Sequence, residues 1–130
     1  MKYLLDTSWV VYYLRGEERI VRRLLSLRKE GLAISIISLA ELYEGVFRSR
    51  NSFLAEKSLK DFLSGVSIIG INEKICKVFG KERARLRRLG KPIGDLDLLI
   101  ASTCICYDLV LLTENIKEFE RVKNLKILKE

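Results

Sequence analysis

The sequence predicts an α/β fold, in which helices cover both faces of a central, mainly parallel sheet of four to five short strands. Short apolar runs alternate along the chain with longer segments that carry apolar residues at helical spacing. Strands that alternate with helices are joined by crossovers, which makes the sheet parallel and yields a three-layer α/β/α sandwich. The length of 130 residues, with 48% hydrophobic residues, suits one domain with a sizeable core, which we expect to span residues 1–130.

Strands are predicted at five short apolar runs. The first run, KYLLD, ends in Asp6, and the clearest of the others, LVLLT, ends in Thr113. Such runs are typical of parallel strands because both faces of the sheet are covered by helices. The predicted strands are residues 2–6, 32–35, 66–71, 109–113 and 126–128.

Helices are predicted between these runs, where capping residues and glycines mark their ends. Thr7 or Ser8 is expected to cap the first helix, and Ser38 is expected to open a later one in a capping box with Glu41. Asn72 is expected to cap a long basic helix. The predicted helices are residues 7–14, 17–30, 38–48, 51–63, 72–89, 95–107 and 115–119, with Gly16, Gly31 and Gly90 as stops.

The ionisable residues narrow the possible chemistry. The chain has 24 Lys and Arg, 17 Asp and Glu and no His, for a formal net charge of +7, which favours an anionic partner. Without imidazole, Ser-His-Asp and Cys-His hydrolases and His-ligated zinc sites are excluded. The three cysteines form no C-x-x-C pair, which argues against a metal knuckle. Because neither a signal peptide nor a membrane-spanning stretch is found, we expect a cytoplasmic protein with no membrane partner.

Polar residues follow several of the predicted strands. In a parallel α/β sheet the ligand site lies beyond the carboxyl ends of the strands, so these residues are expected to meet at one edge. Asp6 ends the first strand, and Ser38 and Glu41 follow the second. The residues that end or follow the fourth strand are Thr113, Glu114 and Asn115.

Two further aspartates, Asp95 and Asp97, open an almost wholly apolar helix. Asp95 complements the helix dipole, which is a sufficient structural explanation for it. Asp97 directly precedes apolar residues that are expected to be buried, where an isolated charge is costly unless it is paired or bound to a metal ion.

Taken one at a time, the other polar residues also have structural explanations. Asp6 suits a helix N-cap and Asn115 an Asx turn, and spacing alone does not decide between Glu41 and Glu44. Taken together, converging carboxylates need a cation to remain ionised, and oxygen ligands without His or Cys select Mg²⁺ or Mn²⁺. An acidic pocket in a basic protein is the arrangement expected for phosphodiester cleavage by a metal-activated water.

Four sequence blocks resemble the signature of the PIN domain family, and more narrowly the VapC-type toxins of prokaryotic toxin–antitoxin pairs. The blocks are LLDTS, S-x-x-E-L-Y-E-G, IGDLDLLIAS and LLTEN-x-K-E-F-x-R-V, and the resemblance covers essentially the whole chain. It implies a Mg²⁺- or Mn²⁺-dependent endoribonuclease. Its motifs map the acidic metal positions onto Asp6, Glu41 and Asp97, and the fourth catalytic position onto Asn115, which brings no charge and leaves a second metal ion in question. The supporting residues implied are Asp95, Thr7, Ser38 and Thr113.

The resemblance also implies partners: an RNA substrate, a cognate VapB-type antitoxin, a homodimer, and a heterotetramer or larger assembly with the antitoxin. Residues 81–91 (KERARLRRLGK) carry six positive side chains and one glutamate. This block either holds RNA phosphates or is a solvated helix face. The candidate RNA-binding residues are Arg83, Arg85, Arg87, Arg88 and Lys91. In VapC-type relatives the early aromatic region and the next helices form a groove for the antitoxin.

Other functions fit the residues less well. A catalytically weak or silent PIN domain that acts as an RNA-binding or protein-binding scaffold is the main alternative, because Asn115 replaces an acid. A receiver domain needs an acid pair after the first strand, and a haloacid-dehalogenase-type phosphatase needs D-x-D there, whereas Asp6 is single.

Overall fold

A computed structural model describes residues 1–129. Within them, five parallel strands form one sheet in the order β3-β2-β1-β4-β5. The strands are β1 (Tyr3–Leu5), β2 (Leu32–Ser35), β3 (Val66–Ile69), β4 (Val110–Leu112) and β5 (Lys126–Ile127). The parallel sheet that the sequence predicts is therefore confirmed.

The strand order makes β1 and β4 neighbours at the centre of the sheet. The chain runs outward from β1 through β2 to β3 on one side, then crosses to β4 and β5 on the other. In such sheets the point where the order reverses opens a crevice at the carboxyl ends of the strands. Because Leu5 is in register with Leu112, the next residues, Asp6 and Thr113, are adjacent there.

Seven α-helices connect these strands within the described residues, and a short 3₁₀ turn, Arg28–Glu30, follows the second. The helices are α1 (Thr7–Leu14), α2 (Glu18–Leu27), α3 (Ile36–Arg48), α4 (Ser52–Leu63), α5 (Glu73–Arg88), α6 (Asp95–Cys106) and α7 (Ile116–Phe119). None of the helices in residues 1–129 is long and apolar enough to cross a membrane.

Two hydrophobic clusters pack on opposite faces of the sheet. Successive strand residues point to opposite faces, so Leu4 belongs to one cluster and Leu5 to the other. Helices α1 to α4 cover the Leu5 face, where Trp9 and Leu59 are buried. Helices α5 to α7 cover the Leu4 face. This arrangement confirms the three-layer sandwich.

Two of the predicted helix caps are wrong. Ser35 rather than Ser38 caps α3, because its Oγ accepts a hydrogen bond of 3.0 Å from the backbone N–H of Ile37. β2 passes into α3 with no loop between them, so the helix begins earlier than the S-x-x-E pattern suggests. For α1 the expected cap at Thr7 or Ser8 is likewise wrong, and the alternative that the sequence offered, Asp6 as the N-cap, is confirmed. The cap predicted at Asn72 is confirmed by a bond of 2.9 Å from Ile75 N–H.

Candidate active site

Asp6 lies at the carboxyl end of β1 with 6% of its surface exposed. Its Oδ1 accepts a hydrogen bond from Thr7 N–H at 2.8 Å. Its Oδ2 accepts one from the Ser8 hydroxyl at 3.0 Å and one from the Thr113 hydroxyl at 2.8 Å. Burial raises the pKa of Asp6 above its ordinary value, although these three donors oppose the shift. The carboxylate is thus buried, held in place and costly to keep charged.

Glu41 reaches the same edge of the sheet from α3. Its Oε1 accepts a hydrogen bond of 2.6 Å from the hydroxyl of Thr7, the residue after Asp6. The buried Ser38 Oγ lies 3.0 Å from the same Thr7 oxygen. Since the Thr7 hydroxyl has a single proton, which it donates to the carboxylate, Ser38 is the donor to Thr7. The two predicted supporting hydroxyls therefore form a chain that orients Glu41.

Asp97 enters the site from the first turn of α6, and it is partly buried. Burial is the largest cause that raises the pKa of Asp97 from 3.8 to about 6, and the negative charges of Asp6, Glu118 and Glu41 contribute to the same shift. Four carboxylates from four separated segments therefore interact electrostatically at one edge of the sheet. Three of them, Asp6, Glu41 and Asp97, are the acids predicted from the sequence.

The fourth carboxylate, Glu118, is the residue that the sequence analysis missed. It lies in α7, three residues after Asn115, and the Asn115 side-chain amide donates to Glu118 Oε2 at 2.8 Å. Asn115 itself is exposed, and its backbone N–H donates to Thr113 Oγ1 at 2.9 Å. The signal that points to Glu118 is an acid in a helical turn that directly follows a buried strand.

Asp95 is directed away from the other acids. Its Oδ1 forms an ion pair of 3.0 Å with Nε of Arg83 on α5, and 59% of its side chain is exposed. Glu44 is also exposed, and the carboxylates that act on Asp97 are those of Asp6, Glu118 and Glu41. The structure therefore brings Glu41 rather than Glu44 toward Asp97.

The donor set is suited to a hard divalent cation. Within residues 1–129, no three or more His, Cys, Asp or Glu side chains are gathered as a ready-made metal site. The carboxylates are nevertheless close enough for their charges to raise the pKa of Asp97, and a bound cation would relieve this repulsion. Carboxylate oxygens are the ligands that Mg²⁺ and Mn²⁺ prefer.

The basic block is only partly available to a partner. Arg85 forms a bidentate ion pair with Glu82, with Nε–Oε1 and Nη2–Oε2 distances of 2.8 and 2.9 Å. Arg83 is paired with Asp95. The exposed members of the predicted RNA-binding set are Arg87, Arg88 and Lys91.

A groove of about 500 Å³ lies beside the acids, between α1, α3 and α4. Its floor includes the apolar side chains of Val11, Leu14 and Leu59, and Glu41 lines part of its wall. Arg15 and Arg48 add positive charge to the lining. The groove therefore connects an apolar surface to the acidic cluster.

The chain is similar to known proteins along nearly its whole length. The family model of the PIN domain matches residues 3–125. Ribonuclease VapC1 of Haemophilus influenzae (strain R2866) is 34% identical over 128 residues, which are 97% of this chain and 96% of that protein. Ribonuclease VapC2 of Rickettsia felis is 39% identical over 127 residues, or 96% of this chain and 95% of that protein. The crystal structure of VapBC2 from Rickettsia felis bound to a DNA fragment from their promoter aligns with a TM-score of 0.92, at 38% identity and 98% coverage of both chains.

Proposed function

Because the chain belongs to the PIN domain family and to its VapC branch, we propose that it is a Mg²⁺- or Mn²⁺-dependent endoribonuclease and the toxin of a VapBC-type toxin–antitoxin pair. The observation that carries this proposal is the electrostatic coupling of Asp97 to three other carboxylates, within a protein of net charge +7. Relatives named ribonucleases support the nuclease activity.

In this proposal, four side chains would hold the cation: Asp6, Glu41, Asp97 and Glu118. When bound, the cation supplies Lewis acidity toward a phosphate oxygen and makes a water molecule more acidic. The protein's own hydroxyls keep the ligands oriented. Thr113 and Ser8 donate hydrogen bonds to Asp6 Oδ2, and Thr7 donates one to Glu41 Oε1.

Removal of divalent cations is expected to stop cleavage. The purified protein is incubated with a single-stranded RNA oligonucleotide in EDTA, and then with an excess of Mg²⁺ or Mn²⁺. We expect intact RNA in EDTA and cleaved RNA after metal is restored, because the proposed nucleophile is a water molecule that only a bound cation would make sufficiently acidic. Cleavage that continues undiminished in EDTA contradicts the metal dependence. A silent scaffold would instead bind the RNA and leave it intact in both conditions.

We propose that the exposed part of the basic block binds RNA phosphates. The double variant Arg87→Ala, Arg88→Ala is expected to weaken binding of single-stranded RNA about tenfold and to reduce the slope of log K against log salt by about 1.4, since each residue neutralises one phosphate. Fluorescence anisotropy in EDTA measures binding without cleavage. The matched control is Arg50→Ala, Lys57→Ala, which removes two exposed charges on the opposite face of the sheet. Equal losses in both double variants would refute a specific role for the block.

We also propose that the groove between α1, α3 and α4 receives an apolar segment of a VapB-type antitoxin, and that the toxin forms a homodimer within a heterotetramer or larger assembly. The VapBC2 crystal structure supports the partnership. Leu14→Glu introduces a charge at a groove residue with 37% exposure and is expected to weaken antitoxin binding at least about tenfold. Leu89→Glu, at an exposed leucine on the other face, is the control in a calorimetric titration. Unchanged affinity for Leu14→Glu would exclude the groove as the binding surface.

A further inference from the structure

Glu114 lies in the short segment between β4 and α7, and both oxygens of its carboxylate accept hydrogen bonds from side chains of other helices. Its Oε2 accepts a hydrogen bond of 3.2 Å from the indole N–H of Trp9, and its Oε1 accepts one from the guanidinium of Arg19. Trp9 is 3% exposed and lies in the first turn of α1, while Arg19 lies in the first turn of α2. Glu114 thus connects the β4–α7 segment to two helices.

Both neighbours of Glu114 act on the acidic cluster. Thr113 donates to Asp6 Oδ2, and the Asn115 amide donates to Glu118. On the other side, the Trp9 backbone N–H donates to the carbonyl of Asp6 at 3.0 Å. The Glu114 bonds therefore tie the helix that begins at Asp6 to the segment that carries Glu118.

Glu114 is not suited to be a further cation ligand. Its Oε1 is paired with the positively charged guanidinium of Arg19, which repels a cation, and its Oε2 accepts a hydrogen bond from the buried indole N–H of Trp9. Releasing them would leave the indole N–H of the buried Trp9 without an acceptor, which is costly. Its role is structural support at a distance rather than contact with the reacting atoms.

We propose that Glu114 is a positioning residue, which sets the separation of Asp6 from Glu118 through its bonds to Trp9 and Arg19 and thereby sets the affinity of the site for a divalent cation. This inference rests on the proposed function. A displaced supporting contact typically lowers metal affinity tenfold or more, because the ligands are then no longer oriented in advance. The effect acts through geometry, since Glu114 remains outside the acidic cluster.

The test is the dissociation constant of Mn²⁺, measured by electron paramagnetic resonance on the full chain without RNA. Glu114→Gln keeps the size of the side chain but removes its charge and one acceptor oxygen. Trp9→Phe keeps an aromatic ring in the core but removes the indole donor. Both variants are expected to raise the Mn²⁺ dissociation constant, by about tenfold for Glu114→Gln. Cleavage by Glu114→Gln should then be restored by excess Mn²⁺, with kcat recovering while the KM for RNA stays unchanged.

The matched control is Glu120→Gln. Glu120 is an exposed acid just after α7, it pairs with Lys129, and within residues 1–129 it makes no hydrogen bond to α1. It carries the same change of charge and should leave Mn²⁺ binding unchanged. A lower melting temperature with an unchanged Mn²⁺ dissociation constant in Glu114→Gln would overturn the proposal and leave a purely structural role. If Glu114→Gln does not fold, unchanged Mn²⁺ binding in Trp9→Phe overturns it instead. Failure of the unaltered protein to bind Mn²⁺ would refute the proposed function, whereas equal binding by all of these proteins would refute only the positioning role.

Discussion

Asp97→Asn is expected to reduce RNA cleavage at least about 100-fold while leaving the fold intact. The substitution removes a charged oxygen ligand at the centre of the acidic cluster, and loss of even an outer contact to a metal site commonly lowers activity 10- to 100-fold. Asparagine has nearly the same shape as aspartate. No hydrogen bond to the Asp97 carboxylate occurs among residues 1–129, so the exchange breaks no hydrogen bond within this part of the chain.

The measurement is the rate of cleavage of an RNA oligonucleotide in saturating Mg²⁺, with circular dichroism as the test of folding. Asp95→Asn is the matched control, because Asp95 has the same side chain two residues earlier and is paired with Arg83 outside the cluster. We expect Asp95→Asn to retain most of its activity. Full activity in Asp97→Asn would remove this residue from the site.

Asp6→Asn is expected to be equally inactive, but less stable. Asp6 accepts three hydrogen bonds through its two oxygens, from Thr7, Ser8 and Thr113. Asparagine has one acceptor oxygen, so at least one of these donors must find another acceptor or remain unsatisfied, at a cost of up to about 1–3 kcal/mol where the donor is buried. Asp97→Asn therefore separates catalysis from stability more cleanly than Asp6→Asn does.

The same Asp97→Asn substitution is expected to stabilise the metal-free protein near pH 7.5. The pKa of Asp97 is raised from 3.8 to about 6 by burial and by neighbouring negative charges. At pH 7.5 the ionised Asp97 carboxylate therefore destabilises the folded protein. The full shift corresponds to about 3 kcal/mol, which solvent around this partly buried group reduces. A gain of about 1–2 kcal/mol in the free energy of unfolding would raise the melting temperature by roughly 5 °C.

The stabilisation has a defined dependence on pH. Between about pH 4 and 6 the folded protein binds a proton at Asp97 that the unfolded chain has released, so the stability of the metal-free protein falls as the pH rises through this range. Well above pH 6, Asp97 is ionised in both the folded and the unfolded protein, so its destabilising effect no longer changes with pH. Glu82 acts in the opposite sense, because its hydrogen bond with Arg85 lowers its pKa and its contribution is lost only as the pH falls below its ordinary value of 4.5.

Urea unfolding in EDTA at several pH values measures this effect. The unaltered protein should lose stability from pH 4.5 to pH 6.5, and Asp97→Asn should lose much less. Millimolar Mg²⁺ should stabilise the unaltered protein at pH 7.5, because a bound cation neutralises the repulsion among the carboxylates. The effect on Asp97→Asn should be smaller, because this variant has less repulsion to relieve and one proposed ligand fewer. Equal pH dependence in the two proteins would show that Asp97 does not bear the electrostatic cost.

Part of the candidate site can be predicted from the sequence, as individual residues show. Asp6, Glu41 and Asp97 were identified because each stands in a short motif, next to apolar residues that are themselves easy to place. Glu118 stands in the fourth block, LLTEN-x-K-E-F-x-R-V, but the resemblance places the fourth catalytic position at Asn115, and the role of Glu118 depends on α7 bringing its carboxylate near Asp6 and Asp97. Asn115 occupies the motif position, and it holds Glu118 by a hydrogen bond of 2.8 Å. Whether Asn115 also contacts a cation remains a prediction.

The capping box shows the opposite case, in which a motif is present and its local interpretation is wrong. Ser38 and Glu41 have the correct spacing for a capping box, but Ser35 already caps α3. Ser38 and Glu41 are therefore free to interact with Thr7 across the sheet edge, at distances of 3.0 and 2.6 Å from the Thr7 hydroxyl. Local spacing does not reveal which of two possible caps a strand–helix junction uses.

The sequence by itself determined the layered α/β architecture, the order of strands and helices, the family and three of the four clustered acids, because apolar periodicity and short motifs are local properties of a chain. The tertiary structure alone decided which distant side chains meet: Glu118 with Asp97, Glu114 with Trp9, and Arg83 with Asp95. These contacts depend on the strand order β3-β2-β1-β4-β5, which places β4 beside β1 although most of the chain lies between them. Charge composition could not distinguish a basic side chain that binds RNA from one that is already paired within the protein.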